Sequence, residues 1–287
     1  MPVIPRFRAG SGRVRWIIAL VIAAIGLIGY FMKPKVTNPE TGETYRVALT
    51  VDQEKALGLE AAQEMIPKLG GALDPRTDPG AALVDEVGRR LVERSRAAQS
   101  DYAGNFNFYL VNDPDMINAF ALPGGQVAIT RGLMDRLENE AQLAGVLGHE
   151  IGHVIAQHSA QQMAKGELGQ MLATAVAVGG SDERGRGQAA GMAALMANQM
   201  LQLKYGRDHE RQSDGIGLKY MMQAGYHPEG MLGVMEVLAD AARSNKQPEF
   251  LSSHPHPETR IQTIKEFLQS NREEIDGRDL THGRRLR

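Results

Sequence analysis

Two histidines four residues apart, with a glutamate beside the first, define the chemistry within reach of this chain: His149-Glu150-Ile151-Gly152-His153. Leu143, Val146, Leu147, Val154 and Ile155 surround them at helical spacing. On a helix, positions i and i+4 share a face about 6 Å apart, so both imidazoles can present a ring nitrogen to one tetrahedral ion. Glu150 projects alongside, placed to take a proton from water. The bland reading is two capped core or surface histidines and a solvated carboxylate. Against it, a catalytic site needs a third protein ligand, because catalytic zinc commonly carries three and leaves one position open. Glu210, within Tyr205-Gly206-Arg207-Asp208-His209-Glu210-Arg211-Gln212-Ser213-Asp214, is the best candidate. Asp214 lies one helical turn further on and can hold a histidine nitrogen in the required tautomer. The chain has no Cys, so thiol ligands, thiol nucleophiles and disulfides are excluded and the metal must sit on His and carboxylates. The expectation is one Zn2+ per chain, with zinc inferred from ligand type.

The elements that must position these residues read as mainly α with a small β-sheet, an α+β arrangement. Apolar periodicity predicts helices at 52–69 and 81–98, the second opened by Asp78-Pro79. Phe106–Val111 and Gln126–Thr130 read as strands, separated by the turn-forming Pro123-Gly124-Gly125. From Glu138 onward the pattern is helical, at 138–163, 167–179, 187–204, 208–224, 228–244 and 258–272. Asn118–Gly125 is expected to lead into an edge strand beside the active-site helix, where an extended substrate can pair through its backbone. Met192, Met196 and Met200 form a stripe read as core, with an adaptable substrate surface as the alternative. His158, His209, His227 and His282 are read as structural or exposed rather than ligands.

The N-terminus carries a different signal. Arg6, Arg8, Arg13 and Arg15 precede an uncharged run from Trp16 to Met32, 17 residues at the short end of what spans a bilayer. Its bulky end, Tyr30-Phe31-Met32, suits an uncleaved anchor better than a signal-peptide cleavage site, with secretion after cleavage as the alternative. The organisation expected is a basic cytoplasmic segment at 1–15, a transmembrane anchor at 16–32, a linker at 33–51, a catalytic domain at 52–270 and a solvated charged tail at 271–287. The distribution of basic residues puts the catalytic domain on the periplasmic side of a bacterial inner membrane. A net charge of −2 over 287 residues gives no field that would gather nucleic acid, and no nucleic-acid partner is expected. Partners and oligomeric state are otherwise unspecified.

Four segments together resemble a known family: His149 to His153, Glu210 with Asp214, Asn118 to Gly125, and His254-Pro255-His256-Pro257. They are similar to the zinc metallopeptidases that include the CAAX prenyl endopeptidase, HtpX and the periplasmic chaperone-protease BepA, over about residues 52–270. The resemblance implies a zincin-like domain with His149, His153 and Glu210 as zinc ligands and Glu150 as catalytic base. The several membrane spans of the first two are absent here, so prenylated substrates are not expected and the periplasmic, single-anchor members are the nearer pattern. Metal-assisted hydrolysis also needs an oxyanion donor, for which His254, Arg260 and Tyr205 are candidates. His254 is the strongest of these, because in similar proteins the matching histidine can sit over the metal and close the site. The expected function is a membrane-anchored metalloendopeptidase acting on unfolded, damaged or misassembled envelope proteins. The alternative is a latent protease working mainly as a chaperone or assembly factor, its zinc blocked by His254.

Overall fold

The computed structural model describes residues 12–180, 205–243, 248–255 and 257–286. The expected helix at 187–204, its Met stripe, His256, Arg6 and Arg8 lie outside the described residues.

The core is built from a three-stranded sheet and the helices laid against it. Strands β3 (Asn107–Val111), β4 (Ala119–Leu122) and β5 (Gln126–Thr130) follow a hairpin, β1 (Lys35–Thr37) with β2 (Thr44–Arg46). In the larger sheet β5 is central, parallel to β3 with Asn107 opposite Gln126, and antiparallel to β4 with Ala119 opposite Ile129. The edge strand beside the helix of His149 and His153 is therefore Ala119–Leu122 itself, which the period-2 pattern had not marked as a strand; four residues are too few for that pattern to register. The Pro123-Gly124-Gly125 turn that links β4 to β5 presses on helix α2 (Val51–Lys68). A Cβ at Gly58 would lie 1.7 Å from the Pro123 carbonyl oxygen, and Gly124 takes φ +75° where its own Cβ would strike the α2 backbone at Lys55. Helix α2 opens on a capping box between Thr50 and Gln53, and α3 (Pro79–Glu93) on Asp78, whose side chain accepts from the Ala81 N–H.

Helix α4 (Arg131–Met134) is one turn, and then α5 (Glu140–Ile155) runs through the core with every residue buried. Asn139 caps it by accepting from the Gln142 N–H. The helical pattern expected across 138–163 breaks at Gln157, which takes φ +53°, an unusual value for a non-glycine residue. Helix α6 (His158–Gly180) starts at the next residue on a new axis. Helix α7 (Arg207–Gln223) packs on α5 at backbone distance: a Cβ at Gly152 would meet the Ser213 carbonyl oxygen at 2.8 Å, so a glycine between the two histidines lets the helices touch. Among the described residues, helices α8 (Glu229–Arg243), α9 (Glu249–Ser253), α10 (Pro257–Ser270) and α11 (Arg272–Asp276) follow. Leu143, Leu147 and Ile151 of α5 meet Ile216 and Tyr220 of α7 in a core in which these side chains are almost wholly excluded from water. Each such side chain contributes roughly 1.5–3 kcal/mol by its burial.

Three expectations need correction. First, no described helix is long and apolar enough to cross a membrane. The first helix, α1 (Gly12–Met32), has 21 residues, but its uncharged run of 17 reaches only about 26 Å against a hydrocarbon core of about 30 Å. It lies along α6, with Gly26 so close to Met171 that a Cβ would sit 2.8 Å from the Met171 Cβ, and Lys33 pairs with Glu167 at 2.6 Å. Second, the expected linker holds the β1–β2 hairpin, whose Asn38 is fully buried, and just beyond it Ala48 donates to the Ala160 carbonyl. Third, the expected solvated tail is folded back on the core. The Thr281 N–H reaches the Gly225 carbonyl, those of Glu140 and Ala141 reach the Arg284 and His282 carbonyls, and Arg284 pairs with Glu140 and Glu86. Its charged side chains point outward while its backbone satisfies the first turn of α5, whose N–H groups would otherwise lack partners.

Candidate metal centre

Helix α5 brings His149 and His153 to one face, and α7 opposes them with Glu210 from its first turn. Four potential ligands, His149, His153, Glu210 and His254, present one atom each within 4.8 Å of one another, all buried. His149 Nε2 and His153 Nε2 are 3.1 Å apart; Glu210 carboxylate oxygens lie 3.6 Å from the first and 3.5 Å from the second. His254 Nδ1 stands 3.2 Å from His149 Nε2 and 3.1 Å from Glu210 Oε1. A tetrahedral ion with bonds of about 2.05 Å holds its ligand atoms about 3.3 Å apart, and these separations straddle that value. Ring nitrogens that face one another share at most one hydrogen per contact, and Glu210 Oε2 is buried with no hydrogen-bond partner. Converging lone pairs and an orphaned carboxylate oxygen are what a cation resolves, so the residues present fit one.

His254 reaches this position because it caps the short helix α9, donating its N–H to the Phe250 carbonyl at 2.8 Å and stacking its ring on Phe250 at 4.4 Å. Its Nε2 lies 3.5 Å from Glu150 Oε1, an oxygen that is itself buried without a hydrogen-bond partner. Glu150 is only 1% exposed, so with His254 in place its carboxylate is shut off from solvent.

The outer ring of the site is charged on one side. Asp214 Oδ1 accepts from His149 Nδ1 at 2.8 Å, and Arg260, from α10, holds both Asp214 oxygens at 2.7 and 2.9 Å. Arg260 Nη1 also approaches Glu210 Oε2 to 3.2 Å, without the alignment of a hydrogen bond. Arg260 is thus committed to two carboxylates rather than free to meet an oxyanion. Burial pushes the Asp214 carboxyl up, but the Arg260 guanidinium and His149 outweigh it and hold the group below the usual carboxylate range. Burial likewise raises Glu210, and His254 and Arg260 overturn this to keep it well below its ordinary value. For His254, burial favours the neutral ring, yet the adjacent Glu210 and Glu150 carboxylates win and raise its pKa. Burial dominates at His153, which is pushed well below the usual imidazole value. Tyr205, the third oxyanion candidate, lies against the His153 ring with centroids 4.0 Å apart, its hydroxyl 3.3 Å from Ser159 Oγ.

On the other side sit His158 and His209, which the sequence reading took as structural or exposed, and Gln212, to which it gave no role. His158 Nδ1 is 2.9 Å from His153 Nδ1, its Nε2 is 2.7 Å from Gln212 Oε1, and its ring stacks on His209 at 4.3 Å. Nearby, Glu54 is buried between Tyr102 and Gln157, both of which donate to its Oε2, and burial raises its pKa. The signal at His158 is hidden because it stands five residues after His153 across the helix break, where helical spacing no longer applies.

Comparison with known proteins agrees with this geometry. Residues 81–268 match the model of peptidase family M48. The chain is 32% identical to the beta-barrel assembly-enhancing protease of Escherichia coli over 254 residues, 85% of this chain and 50% of that protein. It is 29% identical to the mitochondrial metalloendopeptidase OMA1 of Schizosaccharomyces pombe over 272 residues, 94% of this chain and 77% of the relative. The metalloprotease YcaL of Escherichia coli matches at 29% over 197 residues, 67% of this chain and 74% of the relative. The chain spans about half the length of the beta-barrel assembly-enhancing proteases it matches.

Proposed function

The chain belongs to peptidase family M48, and on that premise we propose that it is a zinc-dependent endopeptidase with His149, His153 and Glu210 as ligands and Glu150 as general base. The observation that carries the reading is the four-atom cage at tetrahedral spacing with an unpartnered Glu150 oxygen at its rim. Zinc bound there would polarise the scissile carbonyl and make water acidic enough to deprotonate near neutral pH. Glu150 takes the proton of the attacking water and delivers it to the leaving amine, and no covalent intermediate forms. Asp214 holds the His149 ring through Nδ1, leaving Nε2 for the ion. An extended substrate pairs with the edge strand β4 through its backbone, which reads side chains weakly and suits unfolded or misassembled polypeptides. Likeness to the beta-barrel assembly-enhancing proteases favours envelope proteins as substrates and the periplasmic face of a bacterial inner membrane as the place. Attachment to that membrane runs through residues 16–32, where Trp16, Ile17, Leu20 and Ile28 of α1 stay exposed.

A second reading has its own observation. His254 stands where a fourth ligand would, and Glu150 is buried behind it, which describes a latent enzyme able to hold clients without cutting them. Both readings meet in one experiment: casein degradation by the full chain, with bound zinc measured in each variant. Glu150→Gln should keep zinc and lose at least about a hundredfold in rate, the usual share of a general base. His254→Ala should cut faster than wild type if it is a plug, and more slowly if it donates to the oxyanion. A wild type that holds no zinc removes the assignment.

A further inference from the structure

A chain of hydrogen bonds runs from the hairpin next to α1 into the metal cage. Gln212 Nε2 faces the Glu43 carboxylate at 2.6 Å and Thr41 Oγ1 at 3.1 Å. A carboxylate only accepts, so the amide nitrogen is fixed toward the hairpin and Gln212 Oε1 toward His158. That oxygen also only accepts, so His158 Nε2 carries a hydrogen and donates across 2.7 Å. His158 has no exposed surface, and burial disfavours a doubly protonated ring, which leaves Nδ1 as an acceptor. Its neighbour at 2.9 Å, His153 Nδ1, must then be the donor. With its hydrogen on Nδ1, His153 turns a bare Nε2 lone pair toward His149 and Glu210, the form a metal ligand requires.

We propose that His158 and Gln212 are positioning residues that set the tautomer and ring orientation of His153, with the Glu43 hairpin as their outer end. The inference rests on the zinc reading of the site. Neither residue touches the cage atoms; both act through His153, whose ring also lies against the face of Tyr205. The His158 ring is itself held by His153, by Gln212, by the stacked His209 and by Ser213, whose Oγ stands 3.3 Å from Nδ1 and can donate to it as well.

The test is zinc affinity of the full chain, measured by competition with a chromophoric chelator. His158→Phe keeps the ring volume and the stack on His209 but has no acceptor, and its zinc Kd should rise about ten- to a hundredfold, the usual cost of losing an outer partner of a ligand. His158→Asn returns an acceptor oxygen near the Nδ1 position and should recover most of the loss. Gln212→Met, at a half-exposed site, should weaken binding by a smaller factor and decides the matter if His158→Phe does not fold. Nitrogen-15 spectra of the zinc-loaded wild type should show His158 protonated at Nε2 and His153 at Nδ1. An unchanged Kd in His158→Phe, an Asn variant no better than Phe, or the opposite tautomers overturns the proposal. A wild type without zinc affinity instead overturns the metallopeptidase reading, and this inference with it.

Discussion

His149 and His153 offer the same atom to the same cage, yet the groups behind them differ in charge and in depth. Behind His149 stand Asp214 and Arg260, ionised, fully buried and locked to each other by two hydrogen bonds. Behind His153 stand His158 and Gln212, neutral, in a line that leads outward to exposed Thr41 and Glu43. Position in the chain explains the contrast. Asp214 is one turn beyond Glu210 on α7, so the carboxylate that holds His149 is carried by the helix that brings Glu210 to the cage, and Arg260 is imported from α10 to balance the charge. His158 follows the break at Gln157 and meets Gln212 on the opposite flank of the same helix α7. A buried charge pair is costly to break and fixes geometry tightly; a neutral line to the surface is cheaper to perturb and exposes one ligand to what happens at the hairpin.

The largest effects should come from the charged arm. Asp214→Ala leaves Arg260 buried with its main partner gone and should cost about 3–5 kcal/mol of stability, as broken buried pairs do. It also frees the His149 ring, so zinc affinity should fall by about a hundredfold. Thermal unfolding and chelator competition read the two losses separately. Asp214→Asn retains an acceptor for His149 but not the charge, and it adds a test in acid. Because the folded-state pKa of Asp214 is depressed, the folded protein holds that proton less tightly than the unfolded chain. The stabilisation is therefore complete above the unfolded value of about 3.9 and disappears as pH falls through the lower folded value. Wild type should lose thermal stability more steeply than Asp214→Asn below about pH 4. Equal slopes would mean that the charged arm contributes nothing to the fold and that the two arms differ only in position.

How far each arm could be read in the sequence follows from the same geometry. His149, Glu150 and His153 announce themselves because one unbroken helix places them at a fixed period, and Glu210 with Asp214 repeats that period on a second helix. The match of residues 81–268 to peptidase family M48 bears out the metallopeptidase class that those spacings suggested. The neutral arm was invisible because it crosses the positive-φ residue Gln157, where periodicity stops, and because Gln212 gains its meaning only from a hairpin some 170 residues earlier. Strand β4 is too short for alternation to register, and the apolar run of α1 carries no sign of the helix α6 that covers one side of it. The tail misled for a further reason: charge predicts where side chains go, while the backbone of residues 281–286 is held by the unpaired first turn of α5.

The smallest effect expected is at the outer end of the neutral arm, and it is the one that sharpens the contrast most. Glu43 is exposed and pairs with Gln212 in water, where such contacts are worth well under 1 kcal/mol. Glu43→Gln removes the charge but leaves an amide that can still accept from Gln212 Nε2, so stability should stay within about 0.5 kcal/mol of wild type. Zinc affinity should move by no more than about twofold, since Thr41 remains as a second acceptor and the buried part of the line is intact. The informative quantity is the double variant with His158→Asn. Residues linked in one hydrogen-bond network fail to add, so the effect of Glu43→Gln on zinc Kd should shrink or vanish once His158 has been replaced. Strict additivity would show that the hairpin carboxylate and His153 are independent, and the neutral arm would then end at Gln212.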